Sequence, residues 1–116
     1  MAMNHNKKLG QLGEKKARRY LRLRLWKILE KNYRCPFGEI DIIAKKGKVI
    51  AFIEVKTRLS DAYGAPSEAV NAERQHRYVN SAKYYFSGKT IDCTIRFDII
   101  EVFRGKLNHI ENAFEA

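Results

Sequence analysis

Two apolar runs joined by a short basic turn constrain this chain more than anything else in it. The first is Gly38-Glu39-Ile40-Asp41-Ile42-Ile43-Ala44 and the second Ile50-Ala51-Phe52-Ile53-Glu54-Val55-Lys56, with Lys46-Gly47 between them. Ile, Val, Phe and Ala fill most positions, so the runs read as paired strands inside a sheet. Carboxylates in such strands are costly to desolvate unless a cation or a chemical role compensates. This hairpin is therefore the first place to look for a divalent-metal site.

Strand parity tests whether the acids can meet. A two-residue turn at Lys46-Gly47, or a four-residue loop around it, pairs residues whose numbers sum to 93. Glu39 then lies opposite Glu54, and Asp41 opposite Phe52 and diagonal to Glu54, so that Glu39, Asp41, Glu54 and Lys56 share one face. A three-residue loop would put Asp41 and Glu54 on opposite faces. Three carboxylates on a face repel, and one lysine cannot neutralise them. Mg²⁺ or Mn²⁺ would, and oxygen ligands suit those ions, whereas zinc favours His or Cys. The competing reading is a surface ladder of simple ion pairs; the uniformly apolar residues between the acids weigh against it.

The 116 residues make one domain, 1–116, with room for a single core. A net charge of +10, from 23 Lys+Arg against 13 Asp+Glu, is expected to attract polyanions, nucleic acid first among them. No apolar run approaches the roughly 20 residues of a membrane span. The N-terminus lacks the apolar core of a secretory signal, so a cytoplasmic location is expected. Cys35 and Cys93 stand alone in sequence and read as free, packing thiols.

Leu9, Leu12, Gly13, Ala17, Tyr20 and Leu21 recur at helical spacing and predict a first helix with those residues inward. Its other surface carries Lys15, Lys16, Arg18, Arg19 and Arg22; Lys15, Lys16 and Arg19 are candidate phosphate contacts, against the alternative of a merely solvated face. A strand is expected over Trp26–Arg34, then the hairpin, then a loop over Arg58–Ser67. A second helix is expected from about Asn71, as N-cap, to Phe86, with Ala72, Gln75, Val79, Ala82 and Phe86 buried. A last strand, Thr94 to Phe103, turns at Arg104-Gly105-Lys106 into a short edge segment, Leu107 to Ile110. The order implies an α/β fold built on a mixed sheet with helices on both faces. Arg96 and Asp98 share a strand face and are expected to pair; His5, His76 and His109 read as surface residues.

Asp41, a gap of twelve residues, then Glu54-Val55-Lys56 resembles the PD-(D/E)-x-K core of restriction-endonuclease-like nucleases. Asn32-Tyr33-Arg34-Cys35, Gly38-Glu39-Ile40-Asp41, Phe52-Ile53-Glu54-Val55-Lys56-Thr57-Arg58, Ala69-Val70 and Arg96-Phe97-Asp98 together resemble the bacterial YraN-type family. That family is largely uncharacterised and is similar by motif to archaeal Holliday-junction resolvases. The likeness runs from about Leu9 to Val102. Two positions depart from it: Ile40 replaces the proline of the core motif, and Leu25 stands where a glycine is usual.

The resemblance implies a metal-dependent endonuclease acting on DNA, with branched, Holliday-junction-like DNA as a substrate to consider. It implies Mg²⁺ or Mn²⁺ held by Asp41, Glu54 and the Val55 carbonyl, with Lys56 orienting the nucleophile. Glu39 takes no assured role from the family; its parity beside Glu54 makes it a candidate water-mediated or second-metal ligand. Glu14 resembles the helix-borne acid of the resolvases, with solvent as its alternative place. Gln75 resembles a glutamine that some such nucleases use near the site, with a core role equally open. Arg58 is a candidate phosphate contact. Symmetric strand cutting would need a homodimer, by analogy alone. The competing functions are a non-catalytic DNA- or RNA-binding module that keeps the fold, and an RNA- or ribosome-associated protein whose acids are structural.

Overall fold

The structure, a computed structural model, describes residues 5–58 and 72–114. In chain order the elements are α1 (His5–Leu23), β1 (Lys27–Cys35), β2 (Gly38–Lys46), β3 (Val49–Arg58), α2 (Ala72–Tyr85), β4 (Thr94–Phe103) and β5 (Lys106–Phe114). The five strands lie in the order β1-β2-β3-β4-β5, and only the β3–β4 pair is parallel. A parallel pair needs a crossover, which α2 supplies.

Each face of the sheet carries a helix. Ala17 and Leu21 of α1, with Trp26, pack on Ile42, Ala44, Ala51, Ile53, Ile100 and Val102. On the opposite face Tyr78 and Ala82 of α2, with Phe86, cover Ile43, Phe52, Phe97, Ile99 and Phe114. Because β3 is covered on both sides, its apolar run is nearly continuous rather than alternating. The architecture is the restriction-endonuclease-like one that the family resemblance implies.

The hairpin turns one step later than expected. Gly47 and Lys48 form the turn, and partner numbers sum to 95 instead of 93. Gly47, with φ of 60°, supplies the left-handed position that a two-residue hairpin turn requires. The slip is an even number of residues, so the paired residues from Ile42 to Lys46 and from Val49 to Ile53 keep their expected faces. It does change the rows: Phe52 lies opposite Ile43 rather than Asp41.

Strict alternation fails at one place, Asp41. Ile40 and Ile42, two apart on β2, belong to cores on opposite faces of the sheet. Asn32, which lies beside Asp41 on β1, takes φ of 51° between the pairs Lys31–Ile42 and Tyr33–Ile40. The backbone is thus turned locally at the acid although the register runs through it; the bulge of this ladder lies between Ile28 and Glu30.

Helix faces differ in detail from the periodicity. Leu12, expected inward, is 58% exposed. Gly13 is buried because a Cβ there would overlap Thr57 of β3, so α1 makes its closest approach at that point. On α2 the buried residues are Tyr78, Ser81 and Ala82, whereas Ala72 is exposed and Gln75 and Val79 are half-buried. Aromatic area decides that rotation: Tyr85 and Phe86 both meet Phe52 edge-on, at 5.9 Å between centroids.

The edge strand β5 is longer than Leu107–Ile110. Asn112 takes φ of 52° where the ladder shifts between Phe97 and Ile99, and the strand continues to Phe114, whose ring stacks on Phe97 at 4.9 Å. The expected loop beyond Arg58 and the Asn71 cap lie outside the described residues. Among the described residues no helix is long and apolar enough to cross a membrane.

Candidate functional site

The ladder between β2 and β3 stops at Ile42–Ile53, and the acids stand where the strands part. Asp41 Oδ2 accepts a hydrogen bond of 2.8 Å from the Val55 amide. Burial raises the Asp41 carboxyl from 3.8 to about 7; the Val55 amide opposes the rise, and the charges of Glu14, Glu54 and Glu39 add to it. Asp41 thus feels an acid from α1, one from β3 and one from its own strand.

Glu54 is 2% exposed. Its Oε1 lies 3.0 Å from Lys56 Nζ and also pairs with the Arg74 guanidinium of α2. Its Oε2 is buried and accepts no hydrogen bond. Glu14, half-buried on α1, likewise holds a buried Oε1 without a partner. Burial raises its carboxyl, Arg18 draws it back, and Glu39 pushes it up again. Tyr78 of α2 borders the same acids: burial first, then the charges of Glu54 and Asp41, push its hydroxyl well above its ordinary value.

This donor set suits a hard divalent cation: carboxylate oxygens, two of them bare, and an acid that burial first, and its neighbouring carboxylates after it, raise to about 7. The fit rests on that chemistry and not on a finished cage. Among the described residues no three His, Cys, Asp or Glu side chains stand close enough to enclose an ion.

Asp41 lies within the fields of Glu14 and Glu54, Lys56 pairs with Glu54, and Val55 contacts Asp41 through its amide, whereas the resemblance implies a role for its carbonyl. Glu39 does not face Glu54. The twist at Asp41 leaves it exposed, 3.7 Å from Arg34, so it acts on Asp41 only as a nearby charge. Arg58 is no open phosphate contact: its side chain is 10% exposed and its Nε lies 3.0 Å from Glu101. Gln75 is half-buried, and the α2 residue paired with Glu54 is its neighbour Arg74. Sequence reasoning passed over Arg74 because an exposed helix arginine carries no signal of its own reach.

The basic residues of α1 divide between two surfaces. A groove of about 540 Å³ between α1 and β1 is lined by Lys8, Gln11, Leu12, Glu14, Lys15, Arg18, Lys31 and Asn32. Of the acids around Asp41 only Glu14 lines it. Lys16 and Arg19 lie instead along a second groove, with Leu12, Lys15, Arg22 and Leu23. Of the expected contacts only Lys15 lines the first groove, while Arg18 and Lys31 join it.

Asp98 is committed elsewhere. Arg96 reaches both of its oxygens at 2.9 Å, His109 Nε2 lies 2.7 Å from Oδ2, and the Asn112 amide donates to Oδ1 at 3.0 Å. Burial alone would raise this carboxyl, but the hydrogen bonds from His109, Arg96 and Asn112 more than offset it and hold it below its ordinary value. The expected Arg96–Asp98 pair is present. His109 is a correction: it is buried between Asp98 and the Tyr20 hydroxyl, 3.1 Å from its Nδ1, because β5 runs past it to Phe114. Cys35 and Cys93 are free and half-buried.

With fold and site in place, comparison identifies the class. Residues 13–102 match the model of the uncharacterised protein family UPF0102. The chain is 52% identical over 106 residues to a UPF0102 protein of Thermodesulfovibrio yellowstonii, covering 91% of this chain and 95% of that one. A relative from Alkaliphilus metalliredigens is 48% identical, covering 94% and 99%, and one from Clostridium acetobutylicum 48%, covering 95% and 96%. The protein belongs to UPF0102, the YraN-type family that its motifs resemble.

Proposed function

We propose that this protein is a metal-dependent nuclease that hydrolyses phosphodiester bonds in DNA. One observation carries the reading: at the open end of a buried hairpin Glu54 keeps a bare, buried oxygen beside an Asp41 carboxyl raised to about 7. A structural core gains nothing from that arrangement, and a divalent cation would relieve it. Asp41, Glu54 and the Val55 carbonyl would hold Mg²⁺ or Mn²⁺. Such an ion, when bound, supplies a water of lowered pKa and polarises the phosphate.

The chain's own side chains do the rest. Lys56, at the rim of the site, offsets charge on the phosphate and orients the attacking water. Lys8, Lys15, Arg18 and Lys31 take the phosphate backbone along the groove that Glu14 also lines. These are backbone contacts, which carry no base information, so selection by DNA shape, branched DNA included, fits better than selection by sequence. A homodimer would serve paired cuts on a symmetric junction.

The second reading, a non-catalytic nucleic-acid-binding module, draws on the two cations already matched to Glu54 Oε1. Incubating the protein with duplex, single-stranded and four-way-junction DNA in Mg²⁺, Mn²⁺ or EDTA separates the two. The nuclease cuts with metal, and Asp41→Ala and Lys56→Ala do not. Binding that ignores EDTA, with no cleavage by wild type, establishes the module instead.

A further inference from the structure

Glu54 is gripped by one oxygen only. Lys56 Nζ, two residues along β3, and Arg74 Nη2, from α2, both meet Oε1, while Oε2 stays buried without a donor. A carboxylate so held has a defined orientation, since exchanging its oxygens would break two charge-assisted contacts at once. The two grips are not equivalent. Lys56 has a second task in the reaction proposed above, at the phosphate. Arg74 stands outside β3, its side chain 42% exposed on α2, with its guanidinium carried to a carboxylate that is 2% exposed. A planar guanidinium also fixes a carboxylate plane in a way that a single ammonium does not.

Resting on the nuclease reading, we infer that Arg74 is a positioning residue that orients Glu54, holding Oε1 so that Oε2 is presented to the divalent ion. It acts through Glu54 and does not itself touch the ion. Outer partners of this kind commonly govern metal affinity by about 10–100-fold. The proposal gives α2 a role at the site through Arg74, where sequence reasoning placed Gln75.

The test is Mn²⁺ binding measured by calorimetry, without DNA, on wild type, Arg74→Ala, Arg74→Lys and Arg77→Ala. Arg77 pairs with Glu73 on the same helix and serves as control. Arg74→Ala is expected to raise the Mn²⁺ dissociation constant roughly 10-fold or more. Arg74→Lys recovers part of the loss, Arg77→Ala leaves it unchanged, and saturating Mn²⁺ restores most cleavage to Arg74→Ala. If Arg74→Ala does not fold, Arg74→Gln, which keeps a donor without the charge, takes its place in the same comparison. Unchanged affinity overturns the proposal, and tighter affinity shows that the guanidinium competes with the ion. A wild type that binds no Mn²⁺ overturns the nuclease reading itself, and this inference with it.

Discussion

The Asp41 carboxylate and the Val55 amide meet at 2.8 Å, just past the last paired rung of β2 and β3. A backbone donor inside a sheet must find a partner, and here a side chain replaces the missing strand carbonyl. Asp41 therefore ends the ladder as well as lining the site. That double use explains why a residue kept partly protonated by burial is tolerated: its bond to Val55 recovers some of the desolvation cost.

The raised Asp41 carboxyl has a definite consequence for stability. Between its ordinary 3.8 and about 7, the folded protein keeps a proton that the unfolded chain has released. Folding stability from this group is thus greatest in acid and falls as pH rises towards 7. Asp41→Asn removes the dependence while keeping an oxygen for the Val55 amide. Without metal, its melting temperature is expected to match wild type near pH 3 and to exceed it by a margin that widens as pH rises through 3.8 to about 7, reaching roughly 10 °C at pH 8. The same variant gains nothing from added Mn²⁺. A lower melting temperature at pH 8 for Asp41→Asn contradicts the argument.

Leu25 is strained. It ends α1 with φ of 69°, and Trp26 N bonds back to Leu21 O at 2.9 Å in the pattern of a helix cap that favours glycine. The side chain is 82% exposed, so it repays little of that cost by packing. Leu25→Gly is expected to stabilise the protein by about 1 kcal/mol, measured by urea denaturation, with the slope unchanged. A loss of stability would show that the leucine has a packing role after all.

The Asp98 cluster predicts acid sensitivity of the opposite sign. Its carboxyl lies below its ordinary value when folded, so its contribution is fully present above the unfolded carboxylate range, about pH 4. That contribution is lost as pH falls through the folded value. Asp98→Ala leaves Arg96 and His109 without their shared acceptor and is expected to cost about 3 kcal/mol at pH 7. The difference from wild type shrinks towards pH 2. Urea melts at a series of pH values read it directly, and a difference that grows in acid refutes the assignment.

Much of this was legible in the chain, for reasons that also mark the limit. The two apolar runs announced β2 and β3, and β4 was bounded correctly because Ile, Val and Phe fill it and Arg104-Gly105 turns the chain at its end. Parity put Glu54 and Lys56 on one face of β3, and an even slip in register left that unchanged. It misplaced Glu39 because the twist at Asp41 depends on Asn32 of the neighbouring strand adopting a left-handed conformation. His109 was misread for a similar reason: its burial depends on β5 continuing past Asn112, which local composition argues against. Arg58 and Arg74 show that the destination of a long cationic side chain is a tertiary fact, set by which carboxylate stands within reach.

The two basic grooves beside α1 make different predictions for DNA. Lys31 of β1 lines the groove that holds Glu14, whereas Arg19 lines the other. If the backbone follows the Glu14 groove, Lys31→Ala removes a phosphate contact and Arg19→Ala does not. The expected result for Lys31→Ala is weaker DNA binding by severalfold at low salt. The slope of log affinity against log salt should also shrink by about one. Arg19→Ala keeps the wild-type slope. Fluorescence anisotropy with Ca²⁺ in place of Mg²⁺ measures both without cleavage. Equal effects from the two variants would mean that net charge, and not the groove, attracts the polyanion.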